Sequence, residues 1–196
     1  SVGHLDVFGV QEVDPGSLRS GFSNQAHFLA EHGKFDHFTY QANRSTGLST
    51  TANALFSKHE LLRVQNINLP SRKTATSPRG VLLSHIDTPK GPIAVGVAHL
   101  SLHPLDRKHQ SEAIMEALKN EERVLLMGDF NDTPSSLSLA SLKEGMDGHT
   151  TSATYPRWKP SRCIDVIWWR NLDVLEENSR VWGATDHCGV DIKFKI

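Results

Sequence analysis

The sequence lacks the features that define several classes of protein. Its 196 residues include only two cysteines, Cys163 and Cys188, which excludes a disulfide scaffold and a zinc site built from cysteine alone. No apolar run approaches the roughly 18 residues that a membrane-spanning helix needs. Positive and negative residues are nearly equal in number, since the chain has 21 Lys and Arg and 22 Asp and Glu, for a formal net charge of −1. This balance argues against binding nucleic acid through bulk positive charge, although a catalytic metal supplies local charge in a nuclease.

The length and composition fit a single domain over residues 1–196, with its own hydrophobic core. Apolar residues make up 38% and charged residues 22% of the chain, which excludes a disordered tail. No signal peptide is visible, so a soluble, cytoplasmic protein is the default expectation. Eleven histidines are a high count, and their positions therefore matter for function.

Hydrophobic patterning predicts many short strands and few helices. Apolar runs bounded by turn residues predict strands over Leu5–Val10, Ala52–Ser57, Leu61–Leu69, Gly80–Asp87, Ile93–His99, Arg123–Met127, Ile164–Trp169 and Gly189–Phe194. Helical spacing predicts helices over Ser17–His32, Leu105–Leu118 and Ser136–Lys143. Because hairpins occur among these strands, the pattern favours a mixed α/β layered protein over a doubly wound parallel sheet.

Polar side chains that suit catalysis lie at the ends of the predicted strands, where loops carry function on a rigid scaffold. They are Glu12, His99, Asp129, Asn131, Asp165, Asp186 and His187. A carboxylate directly after a buried run is costly unless it is paired or metal-bound. Each residue alone also has a structural explanation, such as a helix cap, a hydrogen-bonded core histidine or a salt-bridged turn. Their order along the chain decides between the two interpretations.

Eight different short motifs follow one another in a characteristic order across nearly the whole chain. They are Asp6–Val13, Asn53–Lys58, Arg79–Leu82, His99–Leu102, Gly128–Asn131, Thr154–Pro156, Ile164–Ile167 and Thr185–Cys188. This order resembles the endonuclease/exonuclease/phosphatase superfamily of deoxyribonuclease-like, metal-dependent phosphohydrolases. The resemblance implies a four-layer α/β/β/α sandwich, in which two packed mixed β-sheets are flanked by helices.

The same resemblance implies divalent-metal-dependent hydrolysis of a phosphate ester by in-line attack of an activated water. A phosphodiesterase or nuclease is favoured, with nucleic acid and lipid head groups as candidate substrates and Mg²⁺ or Mn²⁺ as the cofactor. Two alternatives stay open. One is a phosphomonoesterase that acts on an inositol or sugar phosphate, and the other is a catalytically silent binding module with the same fold.

The resemblance also assigns roles around the metal and the attacking water. Glu12 is expected to bind the metal together with Asp186, and hard carboxylate oxygens suit Mg²⁺ or Mn²⁺. Asp129 is expected to orient or deprotonate the water. Asn131 is expected to fix that water or a phosphate oxygen.

A second group of roles concerns the phosphoryl group. His187, oriented by Asp186, and His99 are expected to contact phosphoryl oxygens as charge develops in the transition state. Asp165 is expected to support His99. Two further residues of the matching motifs are expected to bind substrate, namely Arg79 and Tyr155.

Other polar residues also have a structural explanation. Arg107 and Gln110 share one face of a predicted helix, and we expect them to make structural contacts. The loop over residues 70–79 carries Arg72, Lys73 and Arg79 and is a candidate phosphate contact as well as a solvated loop.

The N-terminal end departs from the superfamily pattern. Members usually open with a strand that carries a metal-binding Asn and then a helix, before the strand that ends in Gln-Glu. Here Gln11-Glu12 follows the first predicted strand. The domain is therefore expected to be N-terminally incomplete, with a metal site short of one ligand. We also expect either a gap beside Leu5–Val10 or a strand from another chain in that place.

Overall fold

A computed structural model of the chain describes residues 2–46, 48–72, 77–180 and 185–195. The strands are β1 (Val7–Val13), β2 (His37–Ser45), β3 (Thr50–Ser57), β4 (Leu62–Leu69), β5 (Arg79–Ile86), β6 (Ile93–His99), β7 (Val124–Asp129), β8 (Gly148–His149), β9 (Asp165–Arg170), β10 (Asp173–Arg180) and β11 (Gly189–Lys195). The helices are α1 (Gln25–Gly33), α2 (Pro104–Ala117) and α3 (Ala140–Gly145).

The strands form two packed sheets and a separate pair. The first sheet has the antiparallel order β1-β3-β2. The second has the order β4-β5-β6-β7-β9-β8 and is mixed, because β6 and β7 run parallel. Strands β10 and β11 form an antiparallel pair. Within the described ranges, no helix has the length and apolar character needed to cross a membrane.

Three hydrophobic clusters define the layers. Between α1 and the three-stranded sheet, the rings of Phe8, Phe35 and Phe56 pack with centroids 5.8–6.1 Å apart. A second cluster, which includes Met127, fills the space between the sheets. A third cluster, which includes the fully buried Trp168, lies between the six-stranded sheet and helices α2 and α3. The expected four-layer sandwich is therefore confirmed.

The helix predicted over Ser17–His32 is wrong in its first half. Only a 3-10 turn forms at Leu18–Ser20, and the α-helix begins after Asn24, whose side chain accepts a hydrogen bond from the His27 amide. The positive φ of 61° at both Gly21 and Phe22 interrupts the helical backbone. The apolar residue Phe22, which completed the helical spacing, is exposed.

Hydrophobic patterning predicts none of strands β2, β8 and β10. Strand β2 is an edge strand with only one buried residue, and β10 is mostly polar, so neither shows a clear alternation of apolar residues. Strand β8 has only two residues. The predicted hairpin is confirmed, because β5 and β6 pair from Ile86 and Ile93 onward around a turn closed by the Gly91 amide and the Thr88 carbonyl, 2.9 Å apart.

Arg107 and Gln110 on α2 hold the loops that follow β6 and β7. Gln110 Oε1 accepts a hydrogen bond of 2.9 Å from the Ser101 amide. Arg107 donates to the Leu102 carbonyl at 2.7 Å and to the Asp132 carboxylate at 2.6 Å. The structural role expected for both residues is confirmed. The two cysteines are free thiols.

We expect Arg107→Ala to lower the free energy of unfolding by about 3 kcal/mol, because the partly buried Asp132 carboxylate loses its cationic partner and a loop carbonyl loses its donor. Urea denaturation measures this change. Arg44→Ala on the exposed face of β2 is the matched control and should change stability by about 0.5 kcal/mol or less. Equal effects of the two substitutions would contradict the anchoring role.

Candidate active site

Three ionisable side chains lie side by side on adjoining strands of the six-stranded sheet. His99 ends β6, Asp129 ends β7 and Asp165 begins β9. The register pairs His99 with Asp129 and Asp129 with Asp165. Residues paired in this way point to the same face of a sheet, and His99 Nε2 lies 3.5 Å from Asp129 Oδ2. The strands therefore present a row of three catalytic candidates.

His187 extends this row from the loop before β11. Its Nδ1 lies 2.7 Å from Asp165 Oδ2, and this hydrogen bond raises the pKa of His187 against the opposing effect of burial. The expectation that Asp186 orients His187 and that Asp165 supports His99 is therefore wrong. In the structure, Asp165 is the carboxylate that orients His187.

Glu12 is positioned by a bulge in β1. The register of β1 against β3 shifts between Val10 and Val13, and Glu12 has a φ of 60°. Bulges of this kind redirect a side chain next to a functional site. The Glu12 carboxylate is 65% exposed, and its Oε1 lies 4.0 Å from His99 Nδ1.

Arg79, at the start of β5, contributes a guanidinium group to the cleft that Glu12 and His99 also line. Burial lowers the pKa of its guanidinium, and the carboxylates of Glu12 and Asp129 counteract this shift. The start of the strand is held by the fully buried Asn53, whose Nδ2 donates to the Gly80 carbonyl at 2.8 Å. The motif Asn53–Lys58 by itself predicts no role for Asn53. The feature that could have indicated this role is an amide side chain within an otherwise apolar stretch of strand.

The turn after β7 fixes the Asp129 carboxylate. A Cβ on Gly128 would collide with the Ala98 carbonyl, so only glycine allows this close approach to β6. Asn131 has a φ of 54° and donates its backbone N–H to Asp129 Oδ1 at 2.8 Å. The Asn131 Nδ2 donates to the Leu100 carbonyl at 2.9 Å.

Burial changes the acidity of Asp129 in the direction that favours a base. Burial, followed by repulsion from the Asp165 carboxylate, raises the pKa of Asp129 to about 6. The Asn131 N–H, His187 and Arg79 act in the opposite direction without cancelling the effect. A carboxylate whose pKa lies near neutrality is a stronger proton acceptor than an ordinary aspartate.

The pKa values of the two histidines of the row are shifted in opposite directions. Burial, followed by the nearby positive charges of Arg79 and His187, lowers the pKa of His99 to about 3. The carboxylates of Glu12 and Asp129 lie within 4.0 Å and do not outweigh these effects. His99 is therefore a neutral imidazole at pH 7, whereas His187 takes up a proton more readily than an ordinary histidine.

The loop of Tyr155 lies against the loop of Asp186. The Arg157 amide donates to the Asp186 carbonyl at 2.8 Å. The rings of Tyr155 and His187 have centroids 4.8 Å apart. Tyr155 therefore flanks His187, which is compatible with the substrate contact expected for it.

The expected convergence of the polar candidates is confirmed in its geometry. One cleft of about 1590 Å³ is lined by Glu12, Arg79, His99, Asp129, Asn131, Asp165, Asp186 and His187. Of the loop over residues 70–79, Lys73 lies outside the described residues, and Arg72 pairs with Asp106 at 3.0 Å. The chemical roles of the cleft residues stay predictions.

The donor atoms of the cleft suit a hard divalent cation. Ligand atoms of Asp129, Asp165 and His187 lie within 4.8 Å of one another, and Glu12 and Asp186 add carboxylates to the same cleft. Oxygen-rich sets of this kind prefer Mg²⁺ or Mn²⁺ to softer metals. Burial, followed by repulsion from the Asp165 carboxylate, raises the pKa of Asp129, and a cation would relieve that repulsion.

Comparison with known proteins agrees with this geometry. The model of the endonuclease/exonuclease/phosphatase family matches residues 2–187 of the chain. Comparison with curated proteins gave no match.

Solved structures share the fold at low sequence identity. An endonuclease/exonuclease/phosphatase from Beutenbergia cavernae is 21% identical with a TM-score of 0.77, and the match covers 99% of this chain and 63% of that one. D. rerio TDP2 complexed with a single-strand DNA product is 15% identical, with a TM-score of 0.72 and coverage of 98% and 87%. The Bacteroides thetaiotaomicron mannosyl-6-phosphatase is 17% identical, with a TM-score of 0.69 and coverage of 98% and 86%. The chain thus spans less than two thirds of the length of the Beutenbergia protein.

The charge state of His99 predicts a dependence of stability on pH. Between pH 6.5 and about 3, the unfolded chain binds a proton at His99 that the folded chain does not, so stability falls as the pH falls through this range. We expect His99→Gln to remove this contribution, while the opposite contributions of Asp129 and His187 stay. Urea denaturation of both proteins between pH 4 and 7 measures the difference, and parallel stability curves would contradict a neutral, buried His99.

Proposed function

Because the chain belongs to the endonuclease/exonuclease/phosphatase family, we propose that it hydrolyses a phosphate ester by in-line attack of water. A phosphodiester is the favoured substrate, as part of a nucleic acid or a lipid head group. The observation that supports this proposal is the row of His99, Asp129, Asp165 and His187 on one wall of the cleft. The proposed base, Asp129, and the proposed cation, His187, thus lie in one row.

Asp129 is the proposed base for the attacking water. Its pKa of about 6 leaves it ionised at pH 7 yet more basic than an ordinary aspartate, which suits proton abstraction. The backbone N–H of Asn131 holds one carboxylate oxygen at 2.8 Å, so the other oxygen is available to the water. The Asn131 side chain completes the turn on which this geometry depends.

His187 and His99 are proposed to stabilise the charge that develops on the phosphoryl oxygens. His187 does so as an imidazolium, because its hydrogen bond to Asp165 favours the protonated ring. His99 does so as a neutral donor, because burial keeps it uncharged. Preorganised donors of this kind act only where charge develops and therefore lower the barrier. Arg79 adds a fixed positive charge for substrate binding.

Glu12 and Asp186 are proposed to hold Mg²⁺ or Mn²⁺ at the open side of the cleft. When bound, such an ion polarises a phosphoryl oxygen and neutralises developing charge. Both ligands offer carboxylate oxygens, and hard cations such as Mg²⁺ prefer oxygen ligands. Both residues line the cleft, which supports their assignment as metal ligands.

Activity on a panel of substrates tests the proposed reaction. With Mg²⁺ or Mn²⁺, we expect turnover of a phosphodiester such as single-stranded DNA or a lipid phosphodiester, and we expect EDTA to abolish it. Turnover of sugar or inositol monophosphates alone would instead support the phosphomonoesterase. Absence of turnover on every diester and monoester would support the silent binding module.

We expect His187→Ala to reduce kcat at least a hundredfold, because it removes transition-state stabilisation of about 3 kcal/mol. Asp129→Asn should reduce kcat to a similar extent, since it removes the base but keeps the shape. The matched controls are His109→Ala on α2 and Asp173→Asn on β10, both exposed, and they should keep full activity. Circular dichroism checks the fold, and activity within tenfold of the parent for either site variant would refute its role.

A further inference from the structure

Large apolar side chains lie exposed around the mouth of the cleft. Among the described residues, twelve large apolar side chains are exposed, and seven of them belong to loops at the end of the sheets that carries the candidate site. These seven side chains, which we call the apolar rim, are 53–89% exposed. They are Leu18, Phe22, Leu48, Leu102, Leu105, Leu137 and Trp158. Exposed apolar surface that is concentrated on one side of a protein marks a site of interaction.

The first side of the rim is formed by Leu18, Phe22 and Leu48. Strand β1 carries Glu12 and is followed by the loop that contains Leu18 and Phe22. Strand β3 runs antiparallel to β1, so the connection from β2 to β3, which contains Leu48, lies at the same end of the sheet. The Arg19 amide donates to the Leu48 carbonyl at 2.9 Å. This hydrogen bond holds the two loops together.

The second side of the rim is formed by three leucines near the ends of β6 and β7. Leu102 follows β6 and also lines the cleft, Leu105 lies in the first turn of α2, and Leu137 begins a 3-10 turn after β7. Arg107 donates to the Leu102 carbonyl at 2.7 Å and to Ser138 Oγ at 3.2 Å. The loops that follow the two strands therefore adjoin.

Trp158 forms the third side of the rim, from the loop that follows Tyr155. The Arg162 amide donates to the Tyr155 carbonyl at 3.0 Å, which closes this loop. The Arg157 amide donates to the carbonyl of Asp186, which lines the cleft, at 2.8 Å. The loop that exposes Trp158 is therefore fixed directly beside the candidate site.

The segments that carry the rim contain cations and no acidic residue. They are residues 17–23, 46–49, 100–105, 133–139 and 155–162. The chain as a whole has 22 Asp and Glu, so their absence from all five segments leaves these loops without negative side chains. The same segments contain Arg19, Arg157, Lys159 and Arg162. This charge is complementary to a surface that presents phosphate groups.

The side chains of the rim suit a lipid surface better than a nucleic acid. Five of the seven are leucines, whereas surfaces that bind single-stranded nucleic acid use aromatic side chains on which bases stack. Aliphatic side chains gain free energy when they pass from water into the acyl region of a lipid layer. Tryptophan is enriched at the boundary between that region and water. The net charge of −1 also lacks the positive excess typic of nucleic-acid binding.

We propose that the apolar rim docks the protein on a lipid surface, with the mouth of the cleft facing the head groups. The aliphatic side chains enter the layer, Trp158 lies at its polar boundary, and the cations of the same loops contact phosphate groups. Together with the hydrolysis proposed above, on which this last step rests, the docked orientation makes the phosphodiester of a lipid head group the substrate.

Binding to vesicles in the presence of EDTA tests the docking surface without turnover. The probes are vesicles of phosphatidylcholine alone and of phosphatidylcholine mixed equally with phosphatidylserine. We expect the protein to cosediment with both and to bind the mixed vesicles more tightly. The rim variant combines Phe22→Ser, Leu137→Ser and Trp158→Ser, one residue from each side, and none of the three lines the cleft. It should bind at least tenfold more weakly, because it loses apolar area that the lipid covers.

The matched control combines Val64→Ser on β4 with Leu175→Ser on β10. Both residues are exposed and lie near the ends of their strands that are remote from the cleft. This control should bind vesicles as the parent does, and circular dichroism checks the fold of both variants. Failure of the parent to bind either kind of vesicle, or equal binding by the parent and the rim variant, would overturn the proposal. Rim substitutions that weaken binding of single-stranded DNA or dissociate a dimer, with vesicle binding unchanged, would also overturn it.

Hydrolysis separates the docking surface from the proposed reaction. The rim variant should hydrolyse a lipid phosphodiester in vesicles at least tenfold more slowly than the parent, and it should hydrolyse the soluble diester bis(p-nitrophenyl) phosphate at the same rate. Vesicle binding through the rim without hydrolysis of any ester would refute the reaction and support the docking surface. Equal rates of the two proteins on vesicle lipid would refute the docking surface and support the reaction.

Discussion

The burial of two carboxylates on neighbouring strands is the constraint around which the candidate site is arranged. Asp129 and Asp165 face each other in register at the ends of β7 and β9, where like charges in a poorly hydrated place oppose ionisation. The structure meets this cost in two ways. His187 bonds Asp165 at 2.7 Å, and Asp129 keeps a raised pKa. The burial of these two carboxylates thus favours both groups of the proposed reaction, the protonated form of His187 and the more basic carboxylate of Asp129.

The loops at the strand ends serve to keep this arrangement rigid. Two of the residues that line the cleft, Glu12 and Asn131, have positive φ values of 60° and 54°, a conformation that is uncommon for residues other than glycine, although asparagine adopts it more often than most. Around Asn131, the neighbouring loop is held by Arg107 and Gln110 through hydrogen bonds of 2.7–2.9 Å. Helix α2 therefore acts on the site indirectly, by fixing the loops that carry its residues.

The sequence predicted which residues converge, but it did not predict their pairing. The motif order and the position at strand ends were sufficient to bring His99, Asp129 and Asp165 to one edge of the sheet, because adjoining strands in a given register must place their ends together. Which carboxylate meets His187 depends on the path of a loop in three dimensions. Adjacency in the chain suggested Asp186, whereas the fold supplies Asp165 from 22 residues away.

The elements that the sequence failed to predict have a common physical cause. Strands β2 and β10 are defined by backbone pairing at the borders of sheets, and their side chains are too polar to show a periodic pattern. The helix predicted from Ser17 failed for the opposite reason, since apolar spacing was present without burial of Phe22. Apolar periodicity indicates which face of an element is buried. It therefore fails to predict an element that is determined by backbone pairing between strands or is interrupted by a turn.

The candidate site is divided between a rigid half and a less constrained half. His99, Asp129 and Asp165 stand on strands that are paired on both edges within the six-stranded sheet, so their positions are fixed by the core. Glu12 lies in β1, and Asp186 and His187 precede β11; among the described strands, each of these two pairs on one edge only. Exposed edges open more readily than paired ones. The proposed metal ligands therefore belong to the less constrained half, and whatever fixes the distance between β1 and β11 also fixes the distance between those ligands.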